Sequence, residues 1–347
     1  MHFSDTQYHI LRATLTLINS LPIFPKSMSD TTSQKNFSRN ALLVLLLVAI
    51  SVVAIACDGD LDPPPGGEVT VITTTYPLTF LSEKIGGNRI TVNQLTKPGV
   101  EAHDFEPAPS DVRAISDSDL FIYNHPSFES WALNAAAAAS DADGDDSPTV
   151  TVQTINLESA GEDHGGQAVD DSTFDAHVWL NPLKAQKQAD RILSALIEVD
   201  PEGAQIYTRN ADGLDVELQA LDDLINKQIS SCELDSVVVS HLAFGHMAER
   251  YGFEQIGLAG LSPEFESGPA QIAGVIKKIN ELGISHIMQE PIVSNRLAET
   301  VAAETGAELL SLHPLEVRTS EQASTGLDYL DIMKSNADAL QTALRCS

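Results

Sequence analysis

The sequence predicts an α/β protein of two lobes, each a mostly parallel sheet flanked by helices, joined by one long rigid helix. Short apolar segments alternate with helical patterns in both halves of the chain, which is typical of parallel sheets with helices on their faces. Between the halves, apolar residues recur every three or four positions from Asp200 to Ile229, the spacing of one helix face. At 347 residues, the chain is long enough for about two domains.

In the first lobe, apolar residues alternate with polar ones or form short buried runs. The predicted strands are 69–74, 90–95, 120–123 and 149–155. Tyr76 and Pro77 open a helix after the first strand. Asn181 and Pro182 open another that runs to about residue 199, because asparagine caps a free helix end and proline fits its first turn.

After the long helix the same alternation starts again. The predicted strands of the second lobe are 237–239, 284–288 and 309–312, and its helices are 244–251, 269–282, 296–305 and 327–344. The long helix, about 28 residues or on the order of 40 Å, is therefore predicted to be a strut that limits motion between the lobes to a small rocking.

The amino-terminal region is predicted to be an export signal rather than part of the fold. An apolar run from Ala41 to Ala56 follows basic residues and ends at Cys57; it is short for a membrane span but suits a secretory signal. Met28 is a more natural start than Met1. The predicted divisions are a leader at 1–57, a tether at 58–68, the lobes at 69–200 and 232–347, and the linking helix at 201–231.

The chain is strongly acidic, with 49 acidic against 20 basic residues and a formal net charge of −29. Such a charge repels nucleic acids and anionic lipid surfaces and attracts cations. A solvated or salt-adapted surface explains the same composition. We therefore expect no nucleic-acid partner. The charge is consistent with a cation ligand but does not by itself establish one.

Four histidines stand where predicted strands end or a helix is about to begin. They are His103, His177, His241 and His313. Ligands of open α/β sheets bind at the carboxyl ends of strands, so these side chains, two from each lobe, are predicted to meet in one cleft. Neutral imidazoles suit four-coordinate Zn²⁺. The pattern thus predicts a zinc site.

Sequence motifs do not favour an enzyme. The chain contains no His-Glu-x-x-His pair, no Gly-x-Ser-x-Gly elbow and no glycine-rich phosphate loop. An extracellular metallohydrolase stays as an alternative, with Glu290 and Glu264 as possible bases, but it needs an open zinc position for water. Four protein ligands would instead mean binding without turnover.

Several segments together resemble the solute-binding proteins of zinc and manganese ABC importers, in particular the ZnuA-like lipoproteins. The resemblance runs from about Val69 to the carboxyl end. Its motifs are Pro98-Gly99-Val100-Glu101-Ala102-His103-Asp104-Phe105-Glu106-Pro107, His177-Val178-Trp179-Leu180-Asn181-Pro182, Ser240-His241-Leu242-Ala243-Phe244-Gly245, Glu290-Pro291 and Ala298-Glu299-Thr300.

The resemblance implies that His103, His177 and His241 bind the metal. It also implies that the protein carries Zn²⁺ outside the cytoplasmic membrane to an ABC permease with its ATPase. The family often has aspartate at its fourth position; here Leu312-His313-Pro314 places an imidazole there, so we expect His313 as the fourth ligand, with a water as the alternative.

Other assignments follow from the same likeness. Glu101, His125, His246 and Glu290 are possible auxiliary or supporting residues. A manganese or iron importer component is the alternative function, and an adhesin role is sometimes attached to the family. Because histidine ligands must be unprotonated, we expect the affinity for zinc to fall below about pH 6.

The three cysteines point to an exported protein. Ala54-Ile55-Ala56-Cys57 resembles a lipoprotein processing site, which would anchor the mature chain to the outer face of the membrane through Cys57. An ordinary cleaved signal or a short uncleaved anchor is the alternative. Cys232 and Cys346 remain, and outside the cytoplasm such a pair favours a disulfide over free buried thiols.

Overall fold

Two four-stranded sheets, each with all strands parallel, organise the part of the chain that this computed structural model describes, residues 69–140, 149–155, 174–263 and 267–347. The first sheet has the strand order β2-β1-β3-β4 and the second the order β6-β5-β7-β8. The strands are β1 (Val69–Thr73), β2 (Ile90–Gln94), β3 (Leu120–Tyr123), β4 (Val150–Gln153), β5 (Ser236–Val239), β6 (Glu254–Gly257), β7 (His286–Gln289) and β8 (Glu308–Ser311).

Helices make the crossovers that parallel strands require. They are α1 (Tyr76–Gly86), α2 (Pro109–Ser116), α3 (Ala132–Ser140), α4 (Pro182–Val199), α5 (Ala204–Gln228), α6 (Gly245–Tyr251), α7 (Pro269–Leu282), α8 (Arg296–Thr305), α9 (Ser320–Thr325) and α10 (Tyr329–Ala343). Asn181 caps α4 by accepting the N–H of Leu183 at 3.0 Å, with Pro182 in the first turn.

The central strands carry the most apolar sequences because both of their faces are covered. Every residue of β3 and of β5 is buried. Each is an interior strand of its sheet, and such strands read as continuous apolar runs rather than as an alternation.

The long helix α5 packs against α1 and α4, which precede it in the chain, and against α10, which follows it. It therefore contacts helices from both halves of the chain. Its buried face recurs every three or four residues, at Leu214, Leu218, Leu221 and Ile225. One hydrophobic cluster runs without interruption from β1 through α5 to α10. One face of each sheet therefore packs into a common core, while the opposite faces pack into separate hydrophobic clusters.

The structure confirms the predicted fold class and adds two elements that the sequence did not indicate, β6 and α9. The predicted helix from Asp200 to Ile229 is in fact a 3₁₀ turn at Pro201–Gly203 followed by α5, Ala204–Gln228. The division of residues 69–347 into lobes stays a prediction.

Cys232 and Cys346 form a disulfide, as predicted, and join the segment before β5 to the end of the last helix. Among the described helices, none combines the length and apolar character needed to cross a membrane. The predicted leader, the tether and Cys57 lie outside the described residues.

Candidate metal centre

Four side chains from four different loops meet at the carboxyl ends of the two sheets. His103 lies in the loop after β2, and His177 directly precedes the 3₁₀ turn at Val178–Leu180 that leads into α4. His241 follows β5, and Glu316 follows β8. Each sheet therefore supplies two of the four groups.

One potential ligand atom from each residue lies within 4.8 Å of every other. Glu316 Oε1 is 3.2 Å from His103 Nε2, 3.0 Å from His177 Nε2 and 3.6 Å from His241 Nε2. The carboxylate thus faces all three imidazoles. His177, His241 and Glu316 are buried, whereas His103 is partly exposed, so the cluster approaches the protein surface at His103.

Two further carboxylates fix the orientation of the buried imidazoles. Asp175 Oδ1 accepts the Nδ1–H of His177 at 2.8 Å, and Glu290 Oε1 accepts the Nδ1–H of His241 at 2.6 Å. The same oxygens accept the backbone N–H of those histidines. A carboxylate on Nδ1 directs Nε2 towards a metal and makes it a stronger donor.

Charge in the cluster raises the pKa of two histidines. Burial disfavours the imidazolium, but hydrogen bonds and charge from Asp175 and Glu316 outweigh it and raise the pKa of His177 to about 9. Glu290 and Glu316 likewise outweigh burial and raise the pKa of His241 to about 10. Burial alone would raise the pKa of Glu316, yet the three histidines hold it well below the usual range.

One buried nitrogen in the cluster has no hydrogen-bond partner. His241 Nε2 is shielded from solvent and its nearest carboxylate oxygen, on Glu316, is 3.6 Å away. Buried polar atoms are seldom left unpaired. A cation at the centre of the cluster would satisfy this atom, so the donor set fits a bound metal.

The structure corrects the expectation of four meeting histidines, because His313 is turned away from the cluster. His313 Nε2 lies 2.9 Å from Gln322 Oε1, and His313 Nδ1 accepts the N–H of Leu315 at 2.9 Å. Glu316, three residues further along, takes the expected fourth place. Burial lowers the pKa of His313.

The other predicted residues have separate partners. Glu101 accepts the N–H of His103 at 3.1 Å; burial, followed by the charge of Glu316, raises its pKa to about 7. His125 accepts the N–H of Ser127, and its ring centroid lies 4.2 Å from that of Phe174. His246 contacts the carbonyl of Asp175 at 2.9 Å. Of the four residues predicted as auxiliary, Glu290 alone bonds directly to an imidazole of the cluster.

Sequence reasoning missed Glu316 and Asp175. Glu316 lies in an otherwise apolar stretch in which Leu312, Leu315 and Val317 are all buried. A lone acid among buried residues is a signal of a paired or metal-binding carboxylate. Asp175 stands two residues before His177, the spacing at which an aspartate caps the amide of a following residue.

The chain matches known zinc-uptake proteins along most of its described length. The family described as "Zinc-uptake complex component A periplasmic" matches residues 71–343. The high-affinity zinc uptake system protein ZnuA of Bacillus subtilis (strain 168) is 34% identical over 284 residues, which cover 80% of this chain and 88% of that protein.

A longer relative and a solved structure agree with this match. The zinc-binding lipoprotein AdcA of Streptococcus pneumoniae serotype 4 is 30% identical; the match covers 87% of this chain but only 60% of that protein. The crystal structure of the Zn(II)-bound ZnuA-like domain of Streptococcus pneumoniae AdcA superposes with a TM-score of 0.67 at 29% identity, covering 80% of this chain and 99% of that one.

Proposed function

We propose that this chain, which belongs to the family of periplasmic zinc-uptake complex component A, captures Zn²⁺ through His103, His177, His241 and Glu316. Three imidazoles and one carboxylate complete a four-coordinate site of the type that zinc prefers. Asp175 and Glu290 hold two of the imidazoles in the binding tautomer. Zinc is the cargo of the protein rather than a resident cofactor.

The convergence of the four groups is the observation that supports this function. The ligand atoms come from loops as distant as 213 positions along the chain, the separation of His103 and Glu316, yet lie within 4.8 Å of one another. Three imidazoles and a carboxylate crowded together in this way leave His241 Nε2 buried without a partner, and such an arrangement is costly unless a ligand completes it. Folding therefore arranges these residues for a ligand.

Replacing Glu316 by glutamine tests this assignment. Glu316→Gln keeps the size of the side chain and removes its charge, and we expect zinc affinity to fall about 10- to 150-fold, because contacts to a charged group are worth roughly 1.5–3 kcal/mol. The measurement is competition against a chelator of known affinity. Glu321→Gln, an exposed position on α9, is the matched control. Unchanged affinity in Glu316→Gln would overturn the ligand assignment.

The site favours binding over turnover and zinc over manganese. Four protein groups complete the coordination of a tetrahedral zinc ion, so no position is left for an attacking water. Imidazole nitrogens suit zinc, whereas oxygen ligands suit manganese. Competition of Mn²⁺ against Zn²⁺ in the purified protein checks the preference; equal affinity for both ions would count against a zinc carrier.

As in its family, the protein works outside the cytoplasm with an ABC permease and ATPase. The disulfide between Cys232 and Cys346 supports an oxidising compartment. The proposal includes a lipid on Cys57 that tethers the mature chain to the membrane. Labelling of the expressed protein with a radioactive fatty acid, and its loss in Cys57→Ser, would test the anchor; equal labelling of both would refute it.

A further inference from the structure

The segment between β8 and α9 contains a strained residue next to the candidate metal centre. Leu315 has a φ of 65° and is fully buried. A left-handed backbone is uncommon for residues other than glycine, asparagine and aspartate, and persists where the surroundings hold it in place. The residue that follows Leu315 is Glu316.

His313 makes the bond that closes this turn. Its Nδ1 accepts the N–H of Leu315 at 2.9 Å. A backbone N–H can only donate, so Nδ1 carries no proton and the Nε2–H of His313 donates to Gln322 Oε1 at 2.9 Å. That oxygen also accepts the N–H of Thr319 at 2.8 Å, which fixes it as an acceptor. Both ring nitrogens of His313 are therefore engaged.

The backbone on each side of Leu315 is held by other parts of the fold. Asn336 on α10 bonds both the N–H and the carbonyl of His313, each at 2.8 Å. The Nε1–H of Trp179 donates to the carbonyl of Pro314, and the N–H of Tyr76 donates to the carbonyl of Glu316. With these anchors fixed, the conformation of Leu315 determines where the Glu316 side chain points.

We propose that His313 is a positioning residue for the metal centre: by holding Leu315 in its left-handed conformation, it aims the Glu316 carboxylate at the three histidines. This role rests on the proposed function, since it concerns how one of the zinc-binding groups is oriented. It also explains why a histidine at the expected fourth position lies outside the cluster.

Two substitutions of His313 separate this role from a general contribution to packing. In His313→Ala the acceptor for the Leu315 amide is lost, and we expect zinc affinity to fall about 10- to 100-fold, the usual effect of removing a group that orients a metal ligand. In His313→Asn the side-chain oxygen can accept the N–H two residues on, as in an Asx turn. Affinity should then stay close to that of the wild type.

The absorption spectrum of the Co²⁺-substituted protein reports the coordination directly, because band positions and intensities follow ligand geometry. We expect an altered spectrum in His313→Ala and an unchanged one in His313→Asn. His286→Ala, which removes a partly buried imidazole from β7, is the control and should resemble the wild type. Wild-type affinity and spectrum in His313→Ala, or equal impairment in His313→Asn, would overturn the proposal.

Nuclear magnetic resonance of the metal-free protein distinguishes failure of this role from failure of the proposed function. The amide of Leu315 should exchange faster in His313→Ala and at the wild-type rate in His313→Asn, whether or not the protein binds zinc. On adding zinc to the wild type, the ¹⁵N resonances of His313 should not move to metal-bound values. If they do, His313 is a ligand and the positioning role is wrong; if no zinc binds at all, the proposed function fails instead.

Discussion

At the scale of single residues, protons and zinc compete for the same imidazole nitrogens. His177 Nε2 lies 3.0 Å from Glu316 Oε1, within hydrogen-bond distance. A proton on such a nitrogen neutralises the carboxylate, as zinc does. The cluster therefore exchanges one kind of positive charge for another when the metal binds.

The first prediction concerns the dependence of zinc binding on pH. With pKa values of about 9 for His177 and about 10 for His241, both imidazoles hold a proton at neutral pH, and zinc must displace both. Between about pH 6 and 8, each unit of lower pH should weaken affinity by up to about 100-fold, since metal ligands must be deprotonated. The fall thus begins well above the pH of 6 suggested by an unperturbed histidine.

Calorimetry in buffers of different ionisation enthalpy counts the released protons. We expect about two per zinc ion at pH 7. Release of no protons, with affinity constant from pH 6 to 8, would contradict the prediction.

The second prediction concerns the stability of the metal-free protein. This stability should decrease as pH rises, whereas the affinity for zinc should increase. A histidine whose pKa is raised by folding adds stability that is fully present below the unfolded pKa of about 6.5 and is lost as pH rises through the folded value. For His177 and His241 that window runs from about 6.5 to 9 and 10. Thermal unfolding should therefore show a Tm that decreases across this range.

The zinc-loaded protein is the control for this second prediction. Its imidazoles carry no Nε2 proton to lose, so the decrease should be much smaller. A metal-free Tm that rises over the same range would show that the imidazoles are not protonated in the folded state.

Residue types and their place after strands were enough to predict His103, His177 and His241 as neighbours. The error at His313 has a definite physical origin. The sequence placed it after a strand like the others, but the orientation of its ring depends on Leu315, whose left-handed backbone no local pattern indicates. The same turn brings Glu316 to the site. The left-handed φ of Leu315 therefore explains both why His313 lies outside the cluster and why Glu316 was not predicted to lie in it.

At the scale of secondary-structure elements, one buried ion pair joins three of them. Arg89, in the 3₁₀ turn after α1, donates to both carboxylate oxygens of Asp200, at 2.9 and 3.0 Å. Tyr207 on α5 donates to Asp200 at 2.6 Å. Asp200 also caps the short turn that separates α4 from α5. The pair therefore ties the 3₁₀ turn after α1 to the junction between α4 and α5.

The third prediction is that Asp200→Asn destabilises the fold by about 3 kcal/mol, because it removes the buried negative charge to which both Arg89 and Tyr207 donate. Chemical denaturation measures the loss. Asp190→Asn, in an exposed pair with Lys187 at 3.6 Å, should change stability by about 0.5 kcal/mol or less. Equal effects of the two variants would refute a special role for Asp200.

Because the pKa of Asp200 is shifted, the stability that this ion pair contributes depends on pH. Burial would raise this pKa, but the bonds from Tyr207 and Arg89 lower it. A lowered pKa contributes stability that is present above the unfolded value of about 3.9 and is lost as pH falls through the folded one. Acid denaturation of Asp200→Asn should therefore be less steep than that of the wild type.

Two elements escaped prediction because neither has an apolar face. β6 (Glu254–Gly257) is an edge strand with no fully buried residue; it pairs with β5, and Ile256 alone packs, partly buried, against a hydrophobic cluster. α9 (Ser320–Thr325) also buries none of its residues and is held by a capping box between Thr319 and Gln322. Hydrophobic periodicity detects elements that pack against a core, so it detects neither of these.

At the scale of the whole molecule, the disulfide encloses the second sheet in a covalent loop. Cys232 and Cys346 are separated by 114 positions, a span that contains β5 to β8. Closing a loop of this size restricts the unfolded chain and stabilises the fold by roughly 2–5 kcal/mol. The metal cluster lies at the opposite, carboxyl ends of the strands, since β5 begins after Cys232 and ends before His241.

The fourth prediction follows from this placement. The double variant Cys232→Ser/Cys346→Ser should lose about 2–5 kcal/mol of unfolding free energy while binding zinc as the wild type does. Both cysteines are replaced so that neither is left as a free thiol that could bind the metal. A large loss of zinc affinity in protein that is still folded would show that the disulfide acts on the site itself.

The convergence of four remote loops on one candidate metal centre has a consequence for how long each molecule survives. Ligand binding stabilises the folded state by about 4 kcal/mol when free ligand is a thousand times its dissociation constant, and here that gain is spread over segments from both ends of the described chain. Empty molecules would open more often and be degraded first by proteases in their compartment. Scarcity of zinc would then shorten the half-life of the very protein that collects it.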